Sequence, residues 1–475
     1  MQPPTHDNET DDATGELGTL SNAAIESSVH GTEGGERRMS GGMGVEGGAM
    51  GMGGGGGGGP LSLRDLRTLT SFKNPVFRLY YGAMLGQMGA MNMQMLARSL
   101  LIYDITGSGT ILGVMALGNA LPMLFFSLFG GVIADRVQKK YVLLWGQAAS
   151  ALVSVAIAFS LVFGFMSEER SGSWIILVIA ALVQGTIMGL MMPSRQAMIA
   201  EIVGEEQLMN AIALNTFGMN LGRLVMPAVA GFVIAAFGYE MTYFMMAGMY
   251  IIAVIFILFM PETGTITLRG RGAMADVVDG LRYVQHEATL LLILVFTFFT
   301  VLLSMPYMML LPMFTEDILH VGAQGMGWLV SVSGVGAMAG SIVLASLPNK
   351  KRGLMLLWGS FVLGVGLVGF SFSSLWFPSF AWPASLGFIV IVGIGQTTRM
   401  TLGNTLLQYY VQEEYRGRVM SLYMMEFGLT SFGVFAAGIL ADIVGVEWAV
   451  GGLAMILAVL CILVIVFSPR LRRLD

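Results

Sequence analysis

Four ionisable side chains lie within long apolar runs of this 475-residue chain: Arg98, Arg223, Arg399 and Glu426. A charge at bilayer depth is costly, so such residues are candidates for function. Glu426 is the one clear carboxylate inside a run, about 15 Å beyond the start of that run at the helical rise. It could bind a proton and release it as an arginine moves relative to it. The alternative is a static buried ion pair.

Polar amides occur in the same runs. In the first run Gln87, Gln94 and Arg98 are spaced at i, i+7 and i+11, which places them along one helical face. We expect that face to line a central cavity. The remaining candidates for a polar cavity lining are Gln184, Asn215, Arg223, Gln396, Arg399, Asn404 and Gln408. The alternative for each amide is a hydrogen bond between helices without contact to a substrate.

Methionine is abundant, and its 38 residues include clusters in the first and seventh runs. Soft thioethers could bind Cu(I). A flexible apolar lining that adapts to varied ligands is the favoured alternative, because the runs contain no histidine and only Cys461 as a cysteine. We therefore predict no metal site and no cofactor.

Two other functional classes find little support. A membrane enzyme needs converging nucleophiles, bases or metal ligands, and the apolar runs do not supply them. A nucleotide-driven pump needs a phosphate-binding Gly-x-x-x-x-Gly-Lys-Ser/Thr loop, which is absent. We predict that the chain is not an enzyme and has no nucleic-acid partner.

The elements that must position these residues are membrane helices. The chain is 55% hydrophobic and 12% charged, with a mean hydropathy of +0.73, which is typical of membrane proteins. The sequence predicts an all-α integral membrane protein with twelve spans that can each cross about 30 Å of hydrocarbon. The predicted spans are 77–102, 110–134, 141–165, 174–196, 208–237, 242–260, 290–311, 326–347, 353–372, 381–407, 419–442 and 446–467.

Basic residues set the orientation of these spans. With both termini in the cytoplasm, the outer loops carry only Arg170 and nearly all other Lys and Arg residues lie inside. We predict a multi-pass protein of the cell inner membrane. Its regions are a disordered acidic and glycine-rich tail (1–60), a six-helix half (61–260), a cytoplasmic linker (261–287) and a second six-helix half (288–475).

The two halves contain similar segments. The segment from Lys139-Lys140 to Trp145-Gly146 is similar to the segment from Lys350-Lys351 to Trp358-Gly359. The matching order indicates two parallel pseudo-repeats of six helices each.

A charged segment separates the second and third runs, Gly131-Val-Ile-Ala-Asp135-Arg136-Val-Gln-Lys139-Lys140. We interpret it as a cytoplasmic loop whose bases hold it inside. Asp135 could accept hydrogen bonds from the free N–H groups of a neighbouring helix start. The alternative is an ordinary positive-inside loop.

The same segment resembles the loop between helices 2 and 3 of major facilitator transporters, with Gln138 in place of the second glycine. The resemblance implies that Asp135 and Arg136 take part in a conformational switch. Other segments resemble the bacterial branch of enterobactin exporters and macrolide efflux pumps, among them Pro193-Ser-Arg195-Gln196-Ala197, Asn210-Ala-Ile-Ala-Leu214-Asn215 and Asn404-Thr-Leu-Leu-Gln408.

The resemblance implies a monomeric, proton-coupled antiporter that exports drug-like compounds or siderophores by alternating access. Its partners would be a small-molecule substrate, protons and the lipid bilayer. Two motifs depart from the family pattern. Ala181 stands where many proton-coupled members have an arginine, and Met226 and Ala230 replace glycines of the exporter motif. An importer or facilitator of a polar solute therefore stays an alternative.

Overall fold

The computed structural model describes residues 71–167, 170, 172–262, 273–348 and 350–474, and all regular elements in these ranges are helical. One-turn irregular helices lie at Phe314–Ile318, Pro378–Phe380 and Glu413–Tyr415. The α-helices are α1 (Pro75–Thr106), α2 (Gly109–Arg136), α3 (Lys139–Val162), α4 (Trp174–Leu258), α5 (Ala273–His286), α6 (Ala288–Ser304), α7 (Pro306–Met309), α8 (Leu311–Met313), α9 (Gly322–Ser346), α10 (Arg352–Ser371), α11 (Ser373–Trp376), α12 (Ala381–Tyr410), α13 (Arg416–Val444), α14 (Val446–Phe467) and α15 (Pro469–Arg472).

Ten helical stretches in the described part of the chain are long and apolar enough to cross a bilayer. This confirms the predicted class, an all-helical multi-pass membrane protein. The long helix α1 is not among the ten, because Gln87, Asn92, Gln94 and Arg98 interrupt its apolar sequence. The predicted tail at 1–60 lies outside the described residues.

Two glycines divide the long helix α4 into three limbs. Gly204 has φ 68° and ψ 178°, and Gly238 has φ 81° and ψ 177°. These are left-handed conformations that glycine adopts without a β-carbon clash. The limbs are α4a (174–203), α4b (205–237) and α4c (239–258), and they overlap the predicted spans 174–196, 208–237 and 242–260.

Two predicted connections contain more helix than expected. The predicted connection 135–140 is shorter in the structure, because α2 continues to Arg136 and α3 begins at Lys139. A base in the last turn of a helix interacts favourably with the helix dipole, so Arg136 does not end α2 early. The predicted linker 261–287 likewise contains α5, whereas its residues 263–272 lie outside the described ranges.

Small residues let the helices pack closely within the bundle. A β-carbon added at Gly189 of α4a would lie 2.6 Å from the Met123 carbonyl oxygen of α2. One at Gly395 of α12 would lie 2.6 Å from the Leu363 amide nitrogen of α10. Such backbone approaches are typical of membrane helices, where dispersion contacts and interhelical hydrogen bonds drive association.

One end of the bundle is tightly closed between α2 and α13 and between α4b and α9. We call it the packed end; Gly107, Gly238 and Gly445 lie there. A β-carbon at Gly109 would lie 2.8 Å from the carbonyl oxygen of Gly438, and one at Gly327 would lie 2.7 Å from that of Pro227. Further toward the other end of α4b and α9, Leu224 packs against Gly334.

The opposite end, where α2 is joined to α3, is the open end. Beyond Leu224, α4b exposes apolar side chains on several sides, and α9 does the same beyond Gly334: Ile212, Phe217, Leu221, Met338, Ile342 and Val343. Helices α4b and α9 therefore pack in their packed-end portions and are exposed nearer the open end.

Candidate transport site

Glu426 lies inside the bundle on α13 and is 5% exposed. Its Oε1 accepts a hydrogen bond of 2.8 Å from the Thr297 hydroxyl of α6. Its Oε2 has no hydrogen-bond partner among the described residues. A carboxylate with one free, buried oxygen can bind a proton there without losing an existing hydrogen bond.

Arg399 of α12 is fully buried, and its charge interacts with that of Glu426. Among the described residues, none of its guanidinium nitrogens has a hydrogen-bond acceptor. The two groups are therefore electrostatic neighbours and not a hydrogen-bonded ion pair. Of the three arginines considered from the sequence as partners of Glu426, the structure places Arg399 beside it. A buried charge with so little compensation is costly, and small changes in geometry will alter its energy strongly.

A second polar group joins the two sides of the bundle. The Tyr307 hydroxyl of α7 donates a hydrogen bond of 3.4 Å to Gln396 Oε1 of α12. The positive charge of Arg223 on α4b acts on the same tyrosine, and Arg223 is exposed. Gln396 thus has a hydrogen-bond partner on α7, and contact of Arg223 and Gln396 with a substrate stays a prediction. Sequence analysis missed Tyr307, although a tyrosine after Pro306 in an apolar run was a usable signal.

The polar stripe of α1 is turned into the bundle. Gln87, Gln94 and Arg98 are all buried. The Tyr250 hydroxyl of α4c is 3.5 Å from Gln94 Oε1, and Tyr243 and Tyr250 both interact with Arg98. The opposite face of α1 is the exposed one, with Arg78, Leu85 and Met95.

In this structure the stripe therefore packs against neighbouring helices, and the expectation that it lines a central cavity stays a prediction. Helical spacing identifies residues that share a face, but it does not say which neighbour that face meets.

Gln184 is buried between α4a and α3. Its Nε2 donates a hydrogen bond of 3.2 Å to the Ser150 hydroxyl. Nearby, a cavity of about 10 Å³ is lined by Tyr80, Ala83, Met84, Gln87, Leu143, Gln147, Arg195 and Ile257, and it is no larger than a water molecule requires. The hydrogen bond to Ser150 fits the alternative of helix-to-helix bonding for Gln184, whereas Gln87 lines the small cavity.

The remaining amides lie nearer the open end. Asn215 Nδ2 is 3.6 Å from the Met219 sulfur. Gln408 Nε2 donates a hydrogen bond of 2.8 Å to Asn404 Oδ1 along α12, and Gln408 is exposed. All three are accessible or partly accessible, so contact with a ligand stays a prediction for them.

At the junction of α2 and α3, the side chain of Asp135 lies outside the described residues. Arg136 is exposed. The structure adds an ion pair that sequence analysis missed, in which Lys139 Nζ lies 2.5 Å from Glu201 Oε1 of α4a. Lys140 Nζ also donates a hydrogen bond of 3.1 Å to the Leu258 carbonyl oxygen. The bases of this segment thus join α3 to α4, in addition to any role in topology.

The packed end holds a hydrogen-bonded cluster that sequence analysis also missed. Asp442 of α13 accepts hydrogen bonds from the Ser108 hydroxyl at 2.8 Å, the Gly109 amide at 2.7 Å, and the Thr110 amide at 2.9 Å and hydroxyl at 2.6 Å. The hydroxyl groups of Tyr103 and Tyr239 donate to Asp317 and Asp104 respectively.

One carboxyl group beside this cluster carries a shifted pKa. Partial burial, followed by the nearby charges of Asp104 and Asp317, raises the pKa of Glu316. Ionised Glu316 is repelled by Asp104 and Asp317. A rise in pH ionises Glu316 and therefore increases the repulsion between these carboxylates.

Metal ligands do not cluster in the described part of the chain. It contains no group of three or more His, Cys, Asp or Glu residues that could hold a metal ion. The polar sites above consist of arginines, amides, hydroxyl groups and single carboxylates, which suit recognition and proton exchange.

Comparison with known proteins identifies the family. The profile of the family described as "Transmembrane secretion effector", which is a group of major facilitator transporters, matches residues 66–475. The chain belongs to this family. The resemblance found in the sequence is thereby confirmed.

Curated relatives of this transporter are similar over most of their length. The staphyloferrin A transporter of Staphylococcus aureus is 24% identical over 386 residues, which are 79% of this chain and 90% of the relative. The multidrug efflux pump Tap of Mycolicibacterium fortuitum is 25% identical over 391 residues, covering 79% and 91%. The enterobactin exporter EntS of Shigella flexneri is 24% identical over 409 residues, covering 84% and 94%. These relatives are transporters and not enzymes.

Solved structures show the same fold. A peptide transporter POT in complex with sulfate has a TM-score of 0.65 at 12% identity and covers 84% of this chain and 95% of its own. The nucleoside transporter NupG has a TM-score of 0.63 at 12% identity, with coverage of 82% and 98%. The chain is thus a multi-pass transporter of major facilitator type, in a family that acts on small molecules.

Proposed function

We propose that this transporter is a proton-coupled exporter of amphipathic small molecules that works by alternating access. One observation carries the proposal. Glu426, with a free oxygen, lies beside Arg399, which lacks hydrogen-bond acceptors among the described residues. This pair lies in a bundle that is packed at one end and exposed at the other.

The proposed architecture has twelve crossings in two parallel halves. The twelve crossings are the ten apolar stretches together with α1, and the stretch 207–258 forms two crossings because Gly238 bends it. The halves are 61–260 and 288–475, with the tail and both termini in the cytoplasm. In this orientation the open end faces the cytoplasm of an inner membrane, as the distribution of Lys and Arg favours.

Proton exchange at Glu426 would alter its attraction to Arg399. When Glu426 is ionised, the attraction draws α13 toward α12. When a proton binds, that attraction is lost and Arg399 is left as a lone buried charge, which favours a state where the arginine reaches water or an anion. A ligand that prefers one arrangement then shifts the population between access states.

The direction of transport is proposed from the relatives, since two of them are named as an efflux pump and an exporter. Import or facilitated passage of a polar solute is the competing function. Asp135 and Arg136 are proposed to act in the conformational switch at the open end, and the other predicted lining residues are proposed to bind substrate only where they are accessible.

The test uses purified protein in vesicles with an imposed pH gradient and a panel of amphipathic dyes. We expect gradient-driven dye accumulation by the native protein and its loss in Glu426→Gln, which keeps the shape of the side chain. Glu414→Gln, at an exposed carboxylate, is the matched control and should transport normally. Native transport that ignores pH would exclude proton coupling, and accumulation in the import direction only would exclude an exporter.

A further inference from the structure

Arg223 occupies an unusual place for a cation. It lies near the middle of α4b, at a depth where a charged side chain is costly unless it meets water or an opposite charge. Within the described chain it forms no ion pair, yet it is exposed and not buried like Arg98 and Arg399.

Arg223 lies beside a contact between α4b and α9. Leu224 packs against Gly334 of α9, and Arg223 is the next residue toward the open end, where α4b exposes apolar side chains. A solute that enters between these helices from the open end would therefore meet this guanidinium.

The surroundings of Arg223 combine apolar and hydrogen-bonding groups. On its own helix the neighbours at i−4, i−3 and i+3 are Met219, Asn220 and Met226. Nearby, the Tyr307 hydroxyl donates a hydrogen bond to Gln396, and Tyr307 is near enough for the Arg223 charge to act on it. Thioether side chains adapt to ligands of varied shape, whereas a guanidinium fork selects carboxylates and similar oxyanions.

We propose that Arg223 is the residue that recognises substrate charge, and that the ligand is an amphipathic molecule with a carboxylate or a similar oxyanion. This deepens the proposed function and rests on it, because it assigns a substrate class to the proposed exporter. The oxyanion pairs with Arg223 and the apolar part lies against Met219 and Met226.

The arrangement also connects substrate recognition at Arg223 to the proposed proton coupling at Glu426. Gln396 and Arg399 are three residues apart on α12 and so are neighbours on that helix. A ligand anion that engages Arg223 and disturbs the hydrogen bond between Tyr307 and Gln396 would act one helical turn from the Arg399–Glu426 site.

The experiment measures equilibrium binding in detergent without any gradient. Its probes share a pyrene group and differ in charge: pyrenebutyrate, pyrenebutanol and pyrenebutylamine. We expect the native protein to prefer the carboxylate over the alcohol by about tenfold or more, as charge-assisted hydrogen bonds provide. Arg223→Gln should remove the preference, and Arg223→Lys should keep part of it.

Arg170→Gln, the same change at another exposed arginine, should match the native protein. Equal native affinity for carboxylate and alcohol, preference for the amine, a full preference in Arg223→Gln, or absence of pyrenebutyrate binding would each overturn the assignment. The two proposals can be rejected independently. If transport is not driven by the pH gradient but the native protein still prefers the carboxylate probe, proton coupling is rejected and the anion site at Arg223 is retained.

Discussion

Two buried arginines, Arg98 on α1 and Arg399 on α12, have similar burial and different neighbours. Arg98 is 8% exposed and interacts with the hydroxyl groups of Tyr243 and Tyr250. Arg399 is 0% exposed and interacts with Tyr423 and the carboxyl group of Glu426. Tyrosine hydroxyls stay neutral in the physiological range, whereas a carboxyl group can exchange a proton there. On the proposed mechanism, Arg399 can take part in a switch because its partner can change charge, whereas the partners of Arg98 cannot.

The largest effect is expected when Arg399 is replaced. Arg399→Gln leaves ionised Glu426 without its neighbouring cation and should lower the free energy of unfolding by about 1–3 kcal/mol, which is less than the cost of breaking a hydrogen-bonded buried pair, because no guanidinium nitrogen of Arg399 has an acceptor among the described residues. The double change Arg399→Gln with Glu426→Gln should recover much of that stability but not pH-driven transport. Thermal unfolding and vesicle flux measure the two effects. A single variant as stable as the double one contradicts the coupling between these groups.

An intermediate effect is expected at Arg98. Arg98→Gln replaces a buried guanidinium, whose Nε and Nη1 have no hydrogen-bond acceptor among the described residues, by a neutral amide. We expect it to raise the free energy of unfolding by about 1–2 kcal/mol, and the pH dependence of transport should persist. The measurement is the flux profile against pH, normalised to folded protein. A folded variant that has lost its pH dependence would show that Arg98 also belongs to the proton pathway.

The smallest effect is expected at Tyr243. Its hydroxyl has no hydrogen-bond partner among the described residues, so Tyr243→Phe removes an unsatisfied polar group while keeping the ring. We expect a change in unfolding free energy within about 1 kcal/mol, in either direction. Tyr250→Phe is the matched control, because it loses the contact with Gln94 and should cost more. Equal changes in unfolding free energy for the two variants would mean that the contact of the Tyr250 hydroxyl with Gln94 does not stabilise the fold.

The sequence was sufficient for the fold class because hydrophobic length is a local property. The ten apolar stretches of the structure need no neighbour to be recognised as membrane helices. Glu426 and Arg399 could be predicted as site residues because a charge in such a run is conspicuous by itself, and that role stays a prediction. The sequence could not reveal Thr297, which is an ordinary residue of an apolar helix until a partner faces it, whereas Tyr307 after Pro306 offered a signal that was not used.

The differences from the structure have the same origin. The stripe on α1 was correctly identified as one face, but its direction depends on the packing of α4c, which spacing does not report. The junction of α2 and α3 was predicted too long because charged residues were taken as loop signals, although Arg136 is compatible with a helix end.

Asp442 of α13 caps the N-terminus of another helix, α2. Four hydrogen bonds from Ser108, Gly109 and Thr110 converge on its carboxylate, and each contributes roughly 1 kcal/mol or more, since the acceptor is charged. When α13 moves away from α2, these bonds must break together, because all share one side chain. Ser108 still provides α2 with a cap of its own, through its hydroxyl and the Ile111 amide at 3.4 Å. Departure from the packed state is thus an all-or-none step with a threshold, and that step can limit turnover even when proton exchange is fast.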